Sequence, residues 1–330
     1  MMTAVTRDGY GDPDVLSVGR VPVPSPEPDQ VLVEVVASSV NPADWHHVTG
    51  KPYMMRLQSG LRRPKMTIPG LDLAGTVVAI GSKVTDRHVG ERVYGEVGGG
   101  WAQYAAVAAD RVAPLPDSVG FEQAAATPVA GLTALQGLRD HAGLGPDGPD
   151  GARVLINGAS GGVGSFAVQI ARAWGAEVTG VCSTANLGLV EELGADHVVD
   201  YRSEDVTALD RRFDVIFDLA ASHGLGQFRR ILEPGGIYLP CSDRRGGAVL
   251  GPLPWMVGVM TRAKLARIRT GFLLAEPVVA DLETLAAMLA DGSVTAAIGS
   301  RHGLDEVPGA VADQAGGSGR GKRVVRIDLG

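Results

Sequence analysis

The sequence predicts an α/β protein: a doubly wound parallel sheet joined to a smaller, barrel-like β domain. Three observations predict it. Short β-branched runs crowd the first third of the chain, and strand and helix signals alternate regularly from residue 153 to residue 240. The 46 glycines are accompanied by only 5% aromatic residues, a balance that suits tight strand-to-helix turns. At 330 residues the chain has material for two ordinary domains, and 45% hydrophobic residues supply their cores.

The elements justify this in order. Val31–Ala37 follows the turn-forming residues 24–29 and reads as a strand, as do Ala74–Gly81, Arg92–Gly95 and Tyr104–Val107. Turns at Gly81-Ser82 and Gly98–Gly100 separate them, and such short, closely spaced strands predict a small barrel. From Phe121 the pattern changes: residues 122–138 read as a helix interrupted near Pro128 and Gly131, and residues 143–151 as a linker. Strands follow at Arg153–Asn157, Glu177–Cys182, His197–Tyr201, Phe213–Leu219 and Gly236–Pro240, with helices at Gly164–Trp174, Leu187–Leu193 and His223–Leu232. Alternation of this kind requires a parallel sheet with helices on both faces. The stretch Gly251–Leu274 is apolar for a connector and reads as a pocket cap, a dimer interface or core. A helix Asp281–Asp291, a glycine turn at 316–319 and a strand Arg323–Leu329 complete the chain.

A net charge of −7 disfavours general nucleic-acid binding, because such a surface repels phosphate backbones. The short clusters Arg62–Lys65 and Arg244-Arg245 read as solvated faces. Two cysteines without CxxC spacing fit a reducing compartment. The N-terminus has no apolar signal core, and the longest apolar stretch, residues 248–260, is broken by Pro252 and Pro254. The expectation is a cytoplasmic protein that does not enter membranes.

The strongest motif runs from Val154 to Gly164: an apolar strand, a turn with Gly158, Ser160, Gly161, Gly162, Val163 and Gly164, and then a helix. Glycines let a backbone approach a pyrophosphate closely, and amides at the helix start point at it. A second strand about 20 residues on completes the dinucleotide pattern. That strand ends at Ser183-Thr184 with no carboxylate for a ribose 2′-hydroxyl, which favours NADPH over NADH.

These residues, with four other stretches, resemble the zinc-free, quinone oxidoreductase-like branch of the medium-chain dehydrogenase/reductase superfamily, often labelled NAD(P)-dependent alcohol dehydrogenases. The stretches are Ser39–Trp45, Pro69–Val77, Ala124–Ala126 with Gly131–Ala134, and Leu193–Tyr201; Arg320–Val325 matches as well. The resemblance runs from about residue 4 to residue 328. It implies a GroES-like catalytic domain (1–122, with 277–330 returning to it) around a Rossmann domain (123–276), with the cofactor in the cleft between them. It also implies a homodimer paired through a Rossmann edge strand.

By the same resemblance, the positions that carry catalytic zinc in related alcohol dehydrogenases are Asn41, Leu71 and Val129, none of them a usual zinc ligand. His46-His47 reads as a surface or cleft-lining pair rather than a metal site. Without zinc, the implied chemistry is hydride transfer from NADPH to a quinone or an α,β-unsaturated carbonyl. Asn41 and Thr133 are then expected to line the nicotinamide and acceptor site. Tyr53 is a candidate proton or hydrogen-bond donor, with simple packing as its bland alternative, and Asp44 reads as a structural carboxylate. Ser183 and Tyr201, with Arg320 or Lys322, are candidates for the 2′-phosphate, and Ala220 for the cofactor's surroundings. Many relatives carry Lys or Arg at Ala185, and Arg202 is the candidate to compensate. Two other readings stand beside this one: an NADPH-binding sensor or structural protein with little turnover, and a dedicated biosynthetic enoyl-type reductase.

Overall fold

The computed structural model describes residues 1–146, 148, 150–241, 246–315 and 319–328. The Arg244-Arg245 cluster, most of the 316–319 turn, the strand end at Leu329 and positions 147 and 149 of the linker lie outside the described residues. The chain divides into two compact units, Met1–Leu132 with Glu276–Gly330, and Thr133–Ala275. The first border falls inside a helix, Pro128–Gln136, rather than at 122/123. The reason is packing: the preceding helix, Phe121–Ala125, lies on strands of the first unit.

Numbered along the chain, the first unit holds β1 (Met2–Thr6), β2 (Ser17–Val21), β3 (Gln30–Val40), α1 (Pro42–Thr49), α2 (Arg56–Ser59), β4 (Asp72–Ile80), β5 (Arg92–Glu96), β6 (Tyr104–Ala108), β7 (Val112–Pro114), α3 (Phe121–Ala125) and the start of α4 (Pro128–Gln136). β3 is the hub. It pairs antiparallel with β4 over most of its length, with β6 through Gln30–Glu34 and with the C-terminal strand through Ala37–Val40. Its alternating Val31, Val33 and Val35 are fully buried, with Leu73, Val77, Val93 and Trp101 in the same core. The strands β1, β2 and β7 are additions to those read from the sequence pattern.

The second unit holds β8 (Arg153–Asn157), α5 (Gly162–Ala173), β9 (Glu177–Cys182), α6 (Leu187–Glu192), β10 (His197–Asp200), β11 (Phe213–Asp218), α7 (Leu225–Phe228), β12 (Leu232–Pro240), α8 (Leu253–Ala266) and β13 (Arg269–Thr270). The sheet is parallel, in the order β10-β9-β8-β11-β12-β13. The order reverses between β8 and β11, which is the switch point where doubly wound sheets open a crevice at their carboxyl ends. One expectation fails here: helix 223–232 shrinks to Leu225–Phe228. Ile231 and Leu232 swing inward to be buried, Leu232 pairs with Phe213 in the sheet, and a turn at Gly235 (φ +86°) resets the strand.

The chain then returns to the first unit through α9 (Val279–Asp291), β14 (Ile298–His302), α10 (Val307–Ala315) and β15 (Lys322–Arg326). β15 runs antiparallel to β3 with Arg323 opposite Val40, which brings Lys322 beside the start of α1.

Candidate functional site

In the second unit the loop after β8 has the predicted shape. Gly158 takes φ +97°, a backbone that L side chains rarely adopt, and the Gly158 and Ala159 amides donate to the Val181 carbonyl at 3.1 and 3.0 Å. A Cβ on Gly164 would sit 2.2 Å from the Gly158 carbonyl oxygen, so helix and loop can meet this closely only through glycine. The first bond of the α5 ladder runs from the Ser165 amide to the Gly161 carbonyl, 2.9 Å. The amides of Gly162, Val163 and Gly164 therefore stand ahead of the ladder at the positive end of a twelve-residue helix. This is a donor set for a diphosphate, and it fits a dinucleotide.

A buried polar network fixes the neighbouring strand ends. Asp218, fully buried at the end of β11, accepts from Asn157 Nδ2 (2.7 Å), from Tyr238 Oη (2.7 Å) and from the Ala221 amide (2.9 Å). Burial pushes its pKa up, opposed by those donors. The network ties β8, β11 and β12 together where the loop begins, and the sequence reading missed it. Ala220 lies against Gly158, its Cβ 3.6 Å from where a Gly158 Cβ would stand. Beyond β9, Asn186 Nδ2 donates to Ser160 Oγ (3.1 Å) and Ser183 Oγ (3.3 Å), which brings these two predicted residues together. Thr184 Oγ1 donates to Asp200 Oδ2 at 2.5 Å, and this bond, with the Arg202 amide, lowers the Asp200 pKa. Asp200, at the end of β10, thus holds Thr184 in place. Tyr201 is 56% exposed, and Arg202 is exposed as well.

In the first unit the structure gathers a second set around Asp72, at the start of β4. Its Oδ2 accepts from Ser39 Oγ (2.5 Å) and Asn41 Nδ2 (2.8 Å), and its Oδ1 from the Val129 amide (3.0 Å). Lys322 Nζ lies 3.3 Å from the same carboxylate and donates to Asn41 Oδ1. Asp44 accepts from the Asn41 amide (2.8 Å), closing a capping box at the start of α1, and from the Leu71 amide (3.0 Å), so it joins the two expected loops. The structural role read for Asp44 is the one it has. Burial first, then the Asp72 charge, raises the Asp44 pKa to about 7, and Glu96 rises to about 7 for the same two reasons.

Lys322 corrects the sequence reading. It was expected at the 2′-phosphate, but it is 3% exposed, its ammonium engaged with Asn41 and Asp72. A buried carboxylate demands a counter-charge, and the β15–β3 register delivers this one. Asn41, 2% exposed, has its amide oxygen on Lys322 and its nitrogen on Asp72, with a long 3.4 Å contact to Ser39 Oγ. Its amide is therefore held rather than free. Tyr53 is 45% exposed, its ring 4.7 Å under the Arg56 guanidinium. Arg320 is exposed. Thr133 is half-buried in α4 and belongs to the other unit from Asn41. His46 Nδ1 meets the Lys51 carbonyl at 2.7 Å. Among the described residues no group of three or more His, Cys, Asp or Glu is placed to hold a metal ion.

Two families match the chain: the alcohol dehydrogenase GroES-like domain over residues 27–117 and zinc-binding dehydrogenases over residues 193–325. A chloroplast envelope quinone oxidoreductase homolog of Arabidopsis thaliana is 32% identical over 98% of both chains. The chain belongs to the quinone oxidoreductase-like branch of the medium-chain dehydrogenase/reductase superfamily. An NADPH-dependent alkenal/one oxidoreductase of the same plant is 36% identical over 66% of this chain and 57% of its own. The solved quinone oxidoreductase of Coxiella burnetii, 28% identical, superposes with a TM-score of 0.85 over 99% of each chain. The fold is thus a GroES-like domain with a Rossmann sheet, and the chain is an oxidoreductase. Among the described residues no helix is long and apolar enough to cross a membrane.

Proposed function

We propose that the chain is a zinc-independent reductase that uses NADPH to reduce a quinone or the C=C bond of an enone. The observation that carries this reading is the loop Gly158–Gly164 at the sheet's switch point, its three leading amides ready for a diphosphate. The relatives, a quinone oxidoreductase homolog and an NADPH-dependent alkenal/one oxidoreductase, supply the acceptor class.

The bound cofactor supplies the hydride. The chain's own residues bind and orient. Gly162, Val163 and Gly164 hold the diphosphate through their amides, and Ser160 and Ser183, bridged by Asn186, form the hydroxyl-lined rim beside it. Ser183 and Tyr201 face the 2′-phosphate in this reading, with Arg202 as a candidate cation. Asn41 and Thr133 keep the roles the family resemblance implies, and Lys322 and Asp72 fix the Asn41 amide in one orientation. Tyr53 is the exposed hydroxyl on the first-loop side and serves as hydrogen-bond donor to the acceptor. The protein is a homodimer: β13 is an edge strand, and Val257, Met260, Leu265 and Leu274 beside it are 61%, 47%, 81% and 72% exposed.

The test is NADPH oxidation with a panel of quinones and enones. Turnover that depends on the acceptor supports the reading; tight NADPH binding without oxidation across the panel overturns it. Unchanged turnover in Tyr53→Phe removes the tyrosine from the mechanism.

A further inference from the structure

A cavity of about 340 Å³ opens in the second unit, away from the nucleotide loop. Its lining includes Arg212, Arg229, Arg267, Glu233, Gly235 and Gly236. It lies by the amino-terminal starts of β11 and β12, where Phe213 pairs with Leu232, whereas the nucleotide loop follows the carboxyl ends of the same parallel sheet. Phe213 and Asp218 stand five positions apart, roughly 16 Å along the strand. The cavity is therefore distinct from the dinucleotide site.

Its charge runs against the chain's acidic balance. Three guanidiniums meet one carboxylate, and that carboxylate is already taken: Arg153 Nη2 donates to Glu233 Oε1 at 2.6 Å. Arg212 donates one N–H to the Leu232 carbonyl at 3.0 Å and keeps the rest of its fork. Among the described residues Arg229 and Arg267 have no ion-pair partner, although Arg92, Arg139, Arg153, Arg172 and Arg211 each have one. The backbone adds a third observation. Arg267 closes α8 with φ +56°, one of only two non-glycine residues with positive φ among those described. That position ordinarily falls to glycine, and a long cationic side chain held there at a conformational cost needs a reason.

We infer that this cavity is a second binding site, for the phosphate group of a small molecule, with Arg229 and Arg267 as its principal ligands and Arg212 as the anchored third. Guanidinium forks match phosphate oxygens in pairs, and the cleft, open to solvent on one side, has a volume at the scale of a small ligand. The inference stands whether or not the proposed reductase activity is found.

The test titrates the full chain with inorganic pyrophosphate by calorimetry, beside Arg229→Ala and Arg267→Gly. Saturable binding is expected in the parent and weakened about tenfold or more in each variant. Because glycine suits the left-handed position, Arg267→Gly is expected to bind less without a lower melting temperature. The loss is also expected in a Gly164→Ala background, where the nucleotide loop is impaired. Absence of saturable binding, or equal affinity in the arginine variants, overturns the site. Arginine-dependent binding to vesicles containing phosphatidic acid, without binding of pyrophosphate, overturns its assignment to a small molecule.

Discussion

Lys322→Met probes the buried cluster most directly. The substitution keeps the length of the side chain and removes its charge. It leaves Asp72 with no exposed surface and no cation, and leaves the Asn41 oxygen without its donor. Removing one partner of a buried ion pair costs about 3–5 kcal/mol, a large share of the roughly 5–15 kcal/mol that holds a typical domain together. The cost has a pH signature. Lys322 also lowers the Asp44 pKa, so without it Asp44 keeps its proton to still higher pH in the folded chain. A carboxyl with a raised folded pKa is most favourable below its unfolded value, and its stability contribution falls as pH rises towards the folded value. The deficit of Lys322→Met is therefore expected to be larger near pH 8 than near pH 5, measured by urea unfolding at both. The double variant Lys322→Met/Asp72→Asn removes both charges and should recover most of the stability, giving a coupling of 2 kcal/mol or more (about the upper range for neighbouring residues). Its folded chain should still turn over poorly, because the Asn41 amide has lost its fixed partners. A cost under about 1 kcal/mol for Lys322→Met, or strict additivity in the double variant, refutes the buried pairing.

Other outcomes follow from single contacts. Gly164→Ala must displace the Gly158 carbonyl, now 2.2 Å from the new methyl, and should weaken NADPH binding at least about tenfold in a fluorescence titration. The parent chain should lose stability between pH 5 and pH 8, because Asp44 and Glu96 both titrate near 7 and their ionised forms are disfavoured by burial; moving a carboxyl from 3.8 to about 7 makes ionisation cost on the order of 4 kcal/mol for fully buried Asp44. Ala185→Arg places a cation beside Thr184 and Asp200 and should lower the Michaelis constant for NADPH by about tenfold, with that for NADH little changed. Asp218→Asn weakens the tie between β8, β11 and β12, and should lower the melting temperature and the affinity for NADPH together.

The sequence makes some of these features legible and hides others for one physical reason: local pattern reveals backbone requirements, while side-chain partnerships depend on register. The glycine loop is readable because each glycine answers a local demand, a left-handed φ at Gly158 and a close approach at Gly164. The capping role of Asp44 is readable because its partner, the Asn41 amide, is three residues away. Lys322 is not, since its partners lie 281 and 250 residues earlier and meet it only through the β15–β3 pairing. A lysine in a C-terminal Gly-Lys-Arg run looks like a free cation available to phosphate; the register turns it inward. Asp218 fails in the same way, because Asn157 and Tyr238 approach it from neighbouring strands, 61 and 20 residues away. The signal that could have exposed both is a negative one. Asp72 opens one apolar strand run and Asp218 closes another, and a carboxylate at such a position must find donors from elsewhere in the fold. As demands for partners rather than strand punctuation, those two aspartates point to Lys322 and Asn157.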